Sequence, residues 1–261
     1  MLLLDKDDRG VATVTLNRPE IHNAMNSELI ESLRSTFADL DQDDEVRVVI
    51  LTGAGKSFSA GGDLNWMKAS AGYTPGQNEA EAMNLAEMLH RLNVLSKPTL
   101  AVVQGAAYAG GMGLISACDM AIAADHAVFA ITEVRIGLIP ATISPYLLQV
   151  MGSRQARRYF QTAERFDAMK AKELGFLNEV VSFEALEAKR DELVAHLLKG
   201  GPNALAKSKV LIRDIVGDLS EEMRRDTAKR IADVRASEEG LEGLSSFLEK
   251  RKPSWQTGEQ S

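Results

Sequence analysis

The sequence predicts an α/β fold, and three features of the chain support this class. Short β-branched runs, such as residues 46–51 and 99–103, alternate with amphipathic segments of helical period. No Pro/Gly/Ser-rich linker divides the 261 residues. From Ser182 onward the pattern is almost entirely helical. We therefore predict one large α/β core over residues 1–196 and a helical C-terminal region over residues 197–261.

The overall charge restricts the partners that the chain can bind. It has 30 basic and 37 acidic residues and a net charge of −7, whereas a general nucleic-acid surface requires a basic footprint. Acidic residues interrupt a local basic cluster in one helical segment, so we interpret the cluster as a solvated or inter-subunit helix face and expect no nucleic-acid partner. The cluster comprises Arg224, Arg225, Lys229, Arg230 and Arg235.

The cysteine content and the hydropathy indicate a compartment. The single cysteine, Cys118, excludes an intramolecular disulfide framework, and this is typical of a reducing, cytoplasmic environment. No run of 18 apolar residues occurs, so we expect no membrane-spanning helix. The first ten residues are too short and too acidic to form a secretory signal.

The N-terminal segment predicts a β-β-α-β beginning. Two strands are expected over residues 2–5 and 10–16, on either side of a polar turn. Asn26 or Ser27 can cap the helix that follows, in which apolar residues recur on one face. The β-branched run at 46–51 then fits a buried strand.

A glycine-rich loop follows this strand, over residues 53–64. Its spacing fits neither GxxxxGKS/T nor GxGxxG, so a nucleotide phosphate loop is a poor interpretation. Gly61 and Gly62 would instead let backbone N–H groups approach a ligand closely. On these residues alone, an ordinary surface loop explains the pattern equally well.

The remaining elements follow from the same periodicity. Residues 64–77 are expected to form a loose, partly helical connector, because Gly72, Pro75 and Gly76 interrupt a helix. Further strands are expected over residues 99–103 and 178–181, and a short β-like run follows Asp119. Helices are expected over residues 78–96, 144–150, 154–163, 167–174, 183–199, 203–215, 219–237 and 239–250.

The stretch 104–140 carries the strongest chemical signal. Gly110 and Gly111 open an apolar helical run that ends at Cys118, and Glu133 follows as a lone carboxylate. Glycines at a helix start leave backbone N–H groups free to hold a developing negative charge. A carboxylate nearby can move a proton, so the stretch predicts oxyanion chemistry.

Eight short motifs follow one another along nearly the whole chain, and together they are more specific than any one alone. They are LNRP at 16–19 with NA at 23–24, VVILTG at 48–53, FSAGGDL at 58–64, KPT at 97–99, GG at 110–111 with CD at 118–119, Glu133 with GLIP at 137–140, 168–175 with NEVV at 178–181, and FLEKRKP at 247–253. With them the sequence resembles the enoyl-CoA hydratase/isomerase (crotonase) superfamily. Residues 139–146 and 155–166 are similar to the bacterial methylglutaconyl-CoA hydratase group.

The resemblance implies a spiral of ββα units whose C-terminal helices mediate trimers, commonly paired as hexamers. It implies an acyl-CoA thioester as substrate, no metal, and no cofactor beyond the CoA that the substrate carries. Backbone N–H groups of Gly62 and Gly110 would hold the thioester oxygen, with Glu133 as acid/base. The main chain of the glycine loop would also hold the adenine of CoA, through Ala60, Gly61, Gly62, Asp63 and Leu64.

The implied activity is hydration of a branched 2-enoyl-CoA such as 3-methylglutaconyl-CoA, a step of leucine breakdown. A sister group that acts on isohexenylglutaconyl-CoA shares much of the same sequence in these segments. The best-known hydratases carry a second glutamate three residues after the oxyanion glycine, and here that position is Gly113, which either makes room for substrate or only packs. A single glutamate also suits a 3,2-enoyl-CoA isomerase. A non-catalytic acyl-CoA- or RNA-binding protein is a third alternative.

A second carboxylate on the substrate would require a cationic partner in or near the acyl pocket. Asp63 is expected to organise its own loop, and Asp119 to brace the backbone where a helix meets a strand. The candidate cations, which the sequence does not rank, are Arg135, Lys68, His90 and Arg91.

Overall fold

Two β-sheets form the centre of the molecule, and helices pack around them. The computed structural model describes residues 1–70, 72–217 and 219–257. The strands are β1 (Leu2–Lys6), β2 (Val11–Leu16), β3 (Val48–Gly53), β4 (Ser57–Ser59), β5 (Thr99–Val103), β6 (Ala106–Tyr108), β7 (Met120–Ala124), β8 (Val128–Ala130), β9 (Phe166–Asp167) and β10 (Glu179–Val181).

The helices connect these strands and then continue alone to the C-terminus. They are α1 (Ser27–Gln42), α2 (Leu64–Ser70), α3 (Pro75–Val94), α4 (Gly110–Ala117), α5 (Ser144–Thr162), α6 (Ala168–Glu173), α7 (Leu186–Leu198), α8 (Pro202–Val216), α9 (Glu221–Ala236), α10 (Glu238–Leu248) and α11 (Ser254–Thr257), with short 3-10 turns at Pro19–Ile21, Glu133–Ile136 and Phe183–Ala185. None of them, within the residues described, has the length and apolar content needed to span a bilayer.

The chain builds the two sheets alternately. The larger sheet has the order β1-β2-β3-β5-β7-β10, and the smaller sheet has the order β4-β6-β8-β9. In each of the pairs β3/β4, β5/β6 and β7/β8, the first strand joins the larger sheet and the second joins the smaller one. These six strands pair in parallel with one another in both sheets, and only the β8/β9 pair at the edge of the smaller sheet is antiparallel among the pairs they form in the described residues. The repeated progression is the α/β spiral that the resemblance implied.

The central strands of the larger sheet are buried on both faces, which explains the continuous apolar runs in β3 and β5. Val49 and Leu51 of β3 pack in a core with α1, α3 and α4. Val48 and Ile50 of the same strand point to the opposite face and pack with α7. Because side chains alternate along a strand, one short run serves two cores.

Two helix starts lie where the sequence places them. The Asn26 side chain caps α1 by accepting a hydrogen bond from the N–H of Leu29 at 2.9 Å. The Asp167 side chain caps α6 in the same way, by accepting from the N–H of Lys170 at 2.8 Å. Both side chains satisfy an N–H group that has no partner inside its helix.

The connector predicted over 64–77 is partly helical, as expected, but two of its three predicted breaks are wrong. Residues 64–70 form α2, and Pro75 and Gly76 begin α3 instead of interrupting a helix. Thr74 caps α3, and its N–H donates in return to the Gln77 side chain at 2.9 Å. Proline is favourable in the first helical turn because the N–H it lacks would have no partner there. Helix α3 therefore begins three residues before the predicted start at 78.

The smaller sheet was not predicted from the sequence. Strand β4 lies inside the segment interpreted as a glycine-rich loop, and β6 leads directly into the predicted glycine turn. A run of three residues is too short to show a period, so the pairing partners alone define these strands. The predicted break between helices at 150 and 154 is present as a kink inside α5, where Gly152 has φ 72° and ψ 160°.

Candidate active site

A cavity of about 610 Å³ lies between the smaller sheet and the helices α2, α3, α9 and α10. Its size is in the range of small-molecule sites. Of the described residues that line it, Glu133 is the only one with a carboxylate. Most of the lining is apolar and includes Met25, Met67, Leu85, Leu138, Ile143 and Ile231.

Gly62 presents its backbone N–H to this cavity. The carbonyl of Gly61 accepts from the N–H of Met25 at 2.7 Å, and the N–H of Asp63 donates to the carbonyl of Met25 at 2.8 Å. Since N–H groups alternate in direction along an extended chain, the N–H of Gly62 points away from Met25. It has no acceptor among the residues described here, and Gly62 lines the cavity.

Gly110 presents a second backbone N–H to the same cavity. It is the first residue of α4, where N–H groups have no partner within the helix. The carbonyl of Ala109 accepts from the N–H groups of Met112 and Gly113, at 2.9 and 3.2 Å. Within the described ranges no acceptor takes the N–H of Gly110 itself. Gly110 lines the cavity as well.

The two loops that carry these N–H groups touch each other. Gly61 has φ +90°, and a Cβ atom there would lie 3.1 Å from the Cβ of Ala109. Ala109 in turn has φ 47° and ψ −118°, a backbone conformation that is costly for a residue with a side chain. Glycine at 61 is therefore required both by conformation and by space. Gly62 and Gly110 directly follow these two residues in the chain, so the contact brings them close together where they line the cavity.

Glu133 begins the 3-10 turn Glu133–Ile136 and lines the cavity. Its Oε2 atom is buried, and no described residue forms a hydrogen bond with it. Burial raises the pKa of Glu133 to about 7, and the backbone N–H groups of Glu133 and Thr132 offset only part of this rise. The carboxyl group can therefore take up or release a proton near neutral pH.

Helix α10 holds the turn that carries Glu133. A Cβ atom at Gly243 would lie 2.3 Å from the carbonyl oxygen of Ile136, and one at Gly137 would lie 2.5 Å from the carbonyl oxygen of Glu239. Glycine at both positions lets the two backbones approach closely. The C-terminal helices thus position a residue of the core instead of forming a separate layer.

Known proteins resemble this chain over nearly its whole length. The model of the family described as enoyl-CoA hydratase/isomerase matches residues 6–258, nearly the whole chain. The chain belongs to the enoyl-CoA hydratase/isomerase family. It is therefore an enzyme of the crotonase superfamily, as the sequence motifs indicated.

Solved structures show the same relationship over the full chain. An enoyl-CoA hydratase from Shewanella pealeana is 41% identical, with a TM-score of 0.80 over 97% of this chain and 95% of the other. One from Mycobacterium avium is 36% identical, with a TM-score of 0.86 over 97% and 98% of the two chains. One from Mycobacterium smegmatis is 34% identical, with a TM-score of 0.80 over 98% of both chains.

Gly113 of this hydratase/isomerase faces an apolar side chain. A Cβ atom at 113 would lie 2.4 Å from Cγ2 of Ile143 and 3.6 Å from Cδ1 of Leu89. Gly113 is buried, and Ile143 also lines the cavity. Of the two interpretations of this glycine, the structure supports packing, since Ile143 occupies the space next to it. The side chains next to the position of the second glutamate, Ile143 and Leu89, are thus apolar.

The glycine loop of the hydratase/isomerase contributes unequally to the cavity. Ala60 and Gly62 line it, whereas Gly61, Asp63 and Leu64 do not. Asp63 organises the loop, as the sequence predicted: its side chain accepts from the N–H of Asn65 at 2.8 Å and forms an ion pair with Arg18 at 2.8 Å. Although burial opposes it, these partners hold the pKa of the Asp63 carboxyl below its usual value.

Asp119 has the bracing role that the sequence predicted. Its Oδ2 accepts from the N–H and the hydroxyl of Thr99, at 2.7 and 2.9 Å, and forms an ion pair with Lys209 at 2.8 Å. Thr99 begins β5, and Lys209 belongs to α8. Asp119 therefore ties a strand of the core to the C-terminal helical region.

The cations near the cavity differ from those the sequence suggested. Arg135 lines the cavity, whereas Lys68, His90 and Arg91 do not. Arg235 also lines it, although the sequence interpretation placed this residue on a solvated or inter-subunit helix face. The helical period of the sequence could have indicated the inward position of Arg235. This residue follows the buried residues Ala228 and Ile231 by seven and four positions, and so lies on the same face of α9.

Proposed function

We propose that this enzyme adds water to a branched 2-enoyl-CoA that carries a second carboxylate, such as 3-methylglutaconyl-CoA. The N–H groups of Gly62 and Gly110 hold the thioester oxygen, and Glu133 acts as acid and base. Glu133 carries this proposal most directly: it is a carboxyl group buried in the cavity that has a pKa near 7 and an oxygen atom without a hydrogen-bond partner in the described chain. The subgroup resemblance at residues 139–146 and 155–166 supports the choice of substrate.

The two N–H groups serve the charge that develops during the reaction. Attack of water at Cβ moves an electron pair toward the thioester, so negative charge collects on the carbonyl oxygen. Two preorganised donors can each contribute about 2.7–4 kcal/mol of transition-state stabilisation. Donors without a partner in the described chain cost no rearrangement when the oxyanion forms.

Glu133 then performs both proton transfers. As a carboxylate it removes a proton from the attacking water, so that the hydroxyl oxygen bonds to Cβ. The resulting carboxylic acid returns a proton to Cα as the enolate collapses, and the product is the 3-hydroxyacyl-CoA. A pKa near 7 suits both steps, because neither protonation state is strongly disfavoured at neutral pH.

Ile143 supports a second candidate reaction, the 3,2-isomerisation of an enoyl-CoA. The side chains nearest to a Cβ atom at Gly113 are those of Ile143 and Leu89, and neither has a polar group to hold water. One base that removes a proton from Cα or Cγ and returns it to the other carbon needs no such group. The hydrogen bonds of Gly62 and Gly110 would stabilise the dienolate in the same manner.

Labelled solvent distinguishes these reactions. The enzyme is incubated with 3-methylglutaconyl-CoA in H₂¹⁸O, and the products are analysed by mass spectrometry. We expect ¹⁸O at the 3-hydroxyl of the product and no incorporation by the Glu133→Gln variant. A 3-enoyl-CoA is incubated in the same solvent. Migration of its double bond, with no ¹⁸O in the products of either substrate, would contradict hydration and support isomerisation. Turnover of isohexenylglutaconyl-CoA in preference to the shorter substrate would place the enzyme in the sister group.

We further propose that the glycine loop binds the adenine of CoA and that the enzyme is a homotrimer or a hexamer, with residues 197–261 as the oligomerisation region. The proposal for the loop rests on the resemblance and on Ala60 and Gly62, which line the cavity. The proposal for the assembly is supported by α8, whose apolar side chains are more exposed than a solvated helix requires. Examples are Ile212 at 63%, Ile215 at 76% and Val216 at 68% relative exposure.

A further inference from the structure

Arg235 differs from the other cations that line the cavity. Arg135, Arg165, Arg251 and Lys252 are exposed, whereas Arg235 is largely shielded from water between α9, α3 and α2. Its guanidinium carbon lies 6.0 Å from the centre of the Trp66 ring. Burial lowers the pKa of Arg235, so the protein bears a desolvation cost for keeping this charge in the cavity.

The protein supplies little to balance this charge. The Nη1 atom of Arg235 donates to the side-chain oxygen of Asn78 at 3.2 Å, which is a neutral acceptor. Among the described residues, no carboxylate lies within ion-pair distance of Arg235. A guanidinium has five N–H donors, and buried charges are normally paired. Arg235 therefore has donors and charge to offer to a ligand.

The acidic side chain that attracts Arg235 is engaged by other groups. Glu81 raises the pKa of Arg235 through electrostatic attraction, but its two oxygen atoms accept hydrogen bonds elsewhere. Oε2 accepts from Nε1 of Trp66 at 2.5 Å, and Oε1 accepts from the hydroxyl of Ser27 at 2.8 Å. Both oxygen atoms of Glu81 therefore have partners other than the guanidinium, and the ring of Trp66 is fixed by one of them.

We infer that Arg235 binds a carboxylate at the far end of the acyl chain and thereby selects dicarboxylic acyl-CoA substrates. This inference rests on the proposed function, which places an acyl-CoA in the cavity. A planar guanidinium matches a carboxylate with two parallel hydrogen bonds. The phosphates of CoA remain strongly hydrated and suit the exposed cations, whereas a terminal carboxylate that enters the apolar cavity with its chain requires a desolvated partner.

Binding of two saturated thioesters tests the inference without any catalytic step. Glutaryl-CoA and pentanoyl-CoA both have five-carbon acyl chains and differ by the terminal carboxylate. Isothermal titration of the wild-type enzyme should give a dissociation constant for glutaryl-CoA at least about tenfold lower than for pentanoyl-CoA, as expected for a charge-assisted pair. Arg235→Gln should abolish the preference, and the affinity for pentanoyl-CoA should change less than about twofold.

Two further variants make the result specific. Arg230→Gln changes the charge of the same helix by the same amount at an exposed position that pairs with Asp226, and it should keep the preference. Asn78→Asp leaves Arg235 in place but gives it a carboxylate from the protein, so this variant should lose the preference as well. Thermal unfolding of each variant shows whether the fold is retained.

The possible failures are distinguishable. Equal affinity of the wild-type enzyme for both thioesters would overturn the inference, as would a preference that survives in both Arg235→Gln and Asn78→Asp. An equal loss of affinity for both thioesters in folded Arg235→Gln would assign Arg235 to the CoA phosphates and overturn it too. A clear preference for glutaryl-CoA together with no hydration of 3-methylglutaconyl-CoA would leave the inference standing and reject the proposed reaction.

Discussion

The burial of Glu133 suits its proposed acid/base role and disfavours folding. Burial of its carboxyl group in the cavity raises the pKa to about 7. In the unfolded chain the same group titrates near its ordinary value of 4.5. The folded protein therefore holds the proton more tightly than the unfolded chain does between these two values, and its ionised form carries a desolvation cost.

The first prediction concerns activity. If Glu133 must be ionised to activate water, kcat/KM should rise about tenfold per pH unit below pH 7 and level off above it. Glu133→Gln should lower kcat by about 10²–10⁴. The pH dependence of initial rates, measured on both proteins, checks these expectations. A profile without a transition near 7 would assign the proton transfers to another group.

The second prediction concerns stability. The folded-state pKa of Glu133 is raised, so its contribution to folding becomes less favourable as pH increases from 4.5 to 7. At pH 8 Glu133→Gln should increase the free energy of unfolding by about 1–3 kcal/mol, and at pH 4 the two proteins should be nearly equal. Urea unfolding at both pH values measures the difference. A variant that is less stable than wild type at pH 8 would show that the carboxylate is not desolvated.

Gly113 gives a third prediction at this scale. A methyl group at 113 would overlap with Ile143, so Gly113→Ala should lower the unfolding free energy by about 1–3 kcal/mol despite the better helix propensity of alanine. In a protein that already carries Ile143→Ala, Gly113→Ala should lower the unfolding free energy by less than it does in the wild type. Chemical denaturation of the four proteins of this double-mutant cycle measures the coupling. Additive effects would mean that the two positions do not touch.

At the scale of elements, the junction between the Gly62 loop and α2 depends on a buried ion pair. The side chains of Arg18 and Asp63 are 16% and 8% exposed and approach to 2.8 Å. Asp63 also accepts from the N–H of Asn65 at the start of α2. One carboxylate therefore joins the N-terminal segment to the loop that presents the N–H of Gly62.

A fourth prediction follows from this junction. Asp63→Asn should destabilise the protein by about 3 kcal/mol, because it leaves the Arg18 charge buried without its partner. It should also weaken acyl-CoA binding through the loosened loop. The exposed pair Lys6–Asp43, at 2.7 Å, is the matched control, and Asp43→Asn should cost less than about 1 kcal/mol. Equal effects of the two changes in denaturant unfolding would contradict a structural role for the buried pair.

The basic residues of α9 each have a partner or a position that explains them. Three of its members are exposed and form ion pairs one helical turn apart, each with an acidic residue. Arg224 pairs with Glu87 of α3 at 3.6 Å, and Arg235 faces the cavity. The helix thus combines a neutralised outer face with an inner face that packs on α3. The pattern gives no support to nucleic-acid binding.

At the scale of the whole molecule, the exposed apolar side chains of α8 are the main feature that one chain leaves uncovered. We predict that Ile215→Asp, and more strongly Ile212→Asp with Ile215→Asp, will shift the enzyme toward monomers. Light scattering after size-exclusion chromatography measures the mass. Met169→Asp, at an exposed apolar residue of α6 that is 58% accessible, should leave the assembly intact. A monomeric wild-type enzyme would refute the proposed trimer.

The sequence by itself determined the elements that depend on local rules. Strands of the larger sheet, helix starts at Asn26 and Asp167, and the glycine turn before α4 all follow from periodicity, capping and backbone freedom, which act within a few residues. The order of the motifs was also sufficient to indicate the family. Local signals are strong here because the central strands are buried on both faces.

Only the tertiary structure decided what surrounds the reacting groups. The smaller sheet exists through pairing between strands that are distant in the chain, and its members are too short to be recognised alone. Ile143 lies against Gly113, and Arg235 reaches Asn78 across a separation of 157 residues. Such contacts depend on how helices pack, and a one-dimensional pattern does not specify that packing. The carboxylate that lines the cavity, Glu133, was readable from the sequence, whereas the side chains that surround it were not.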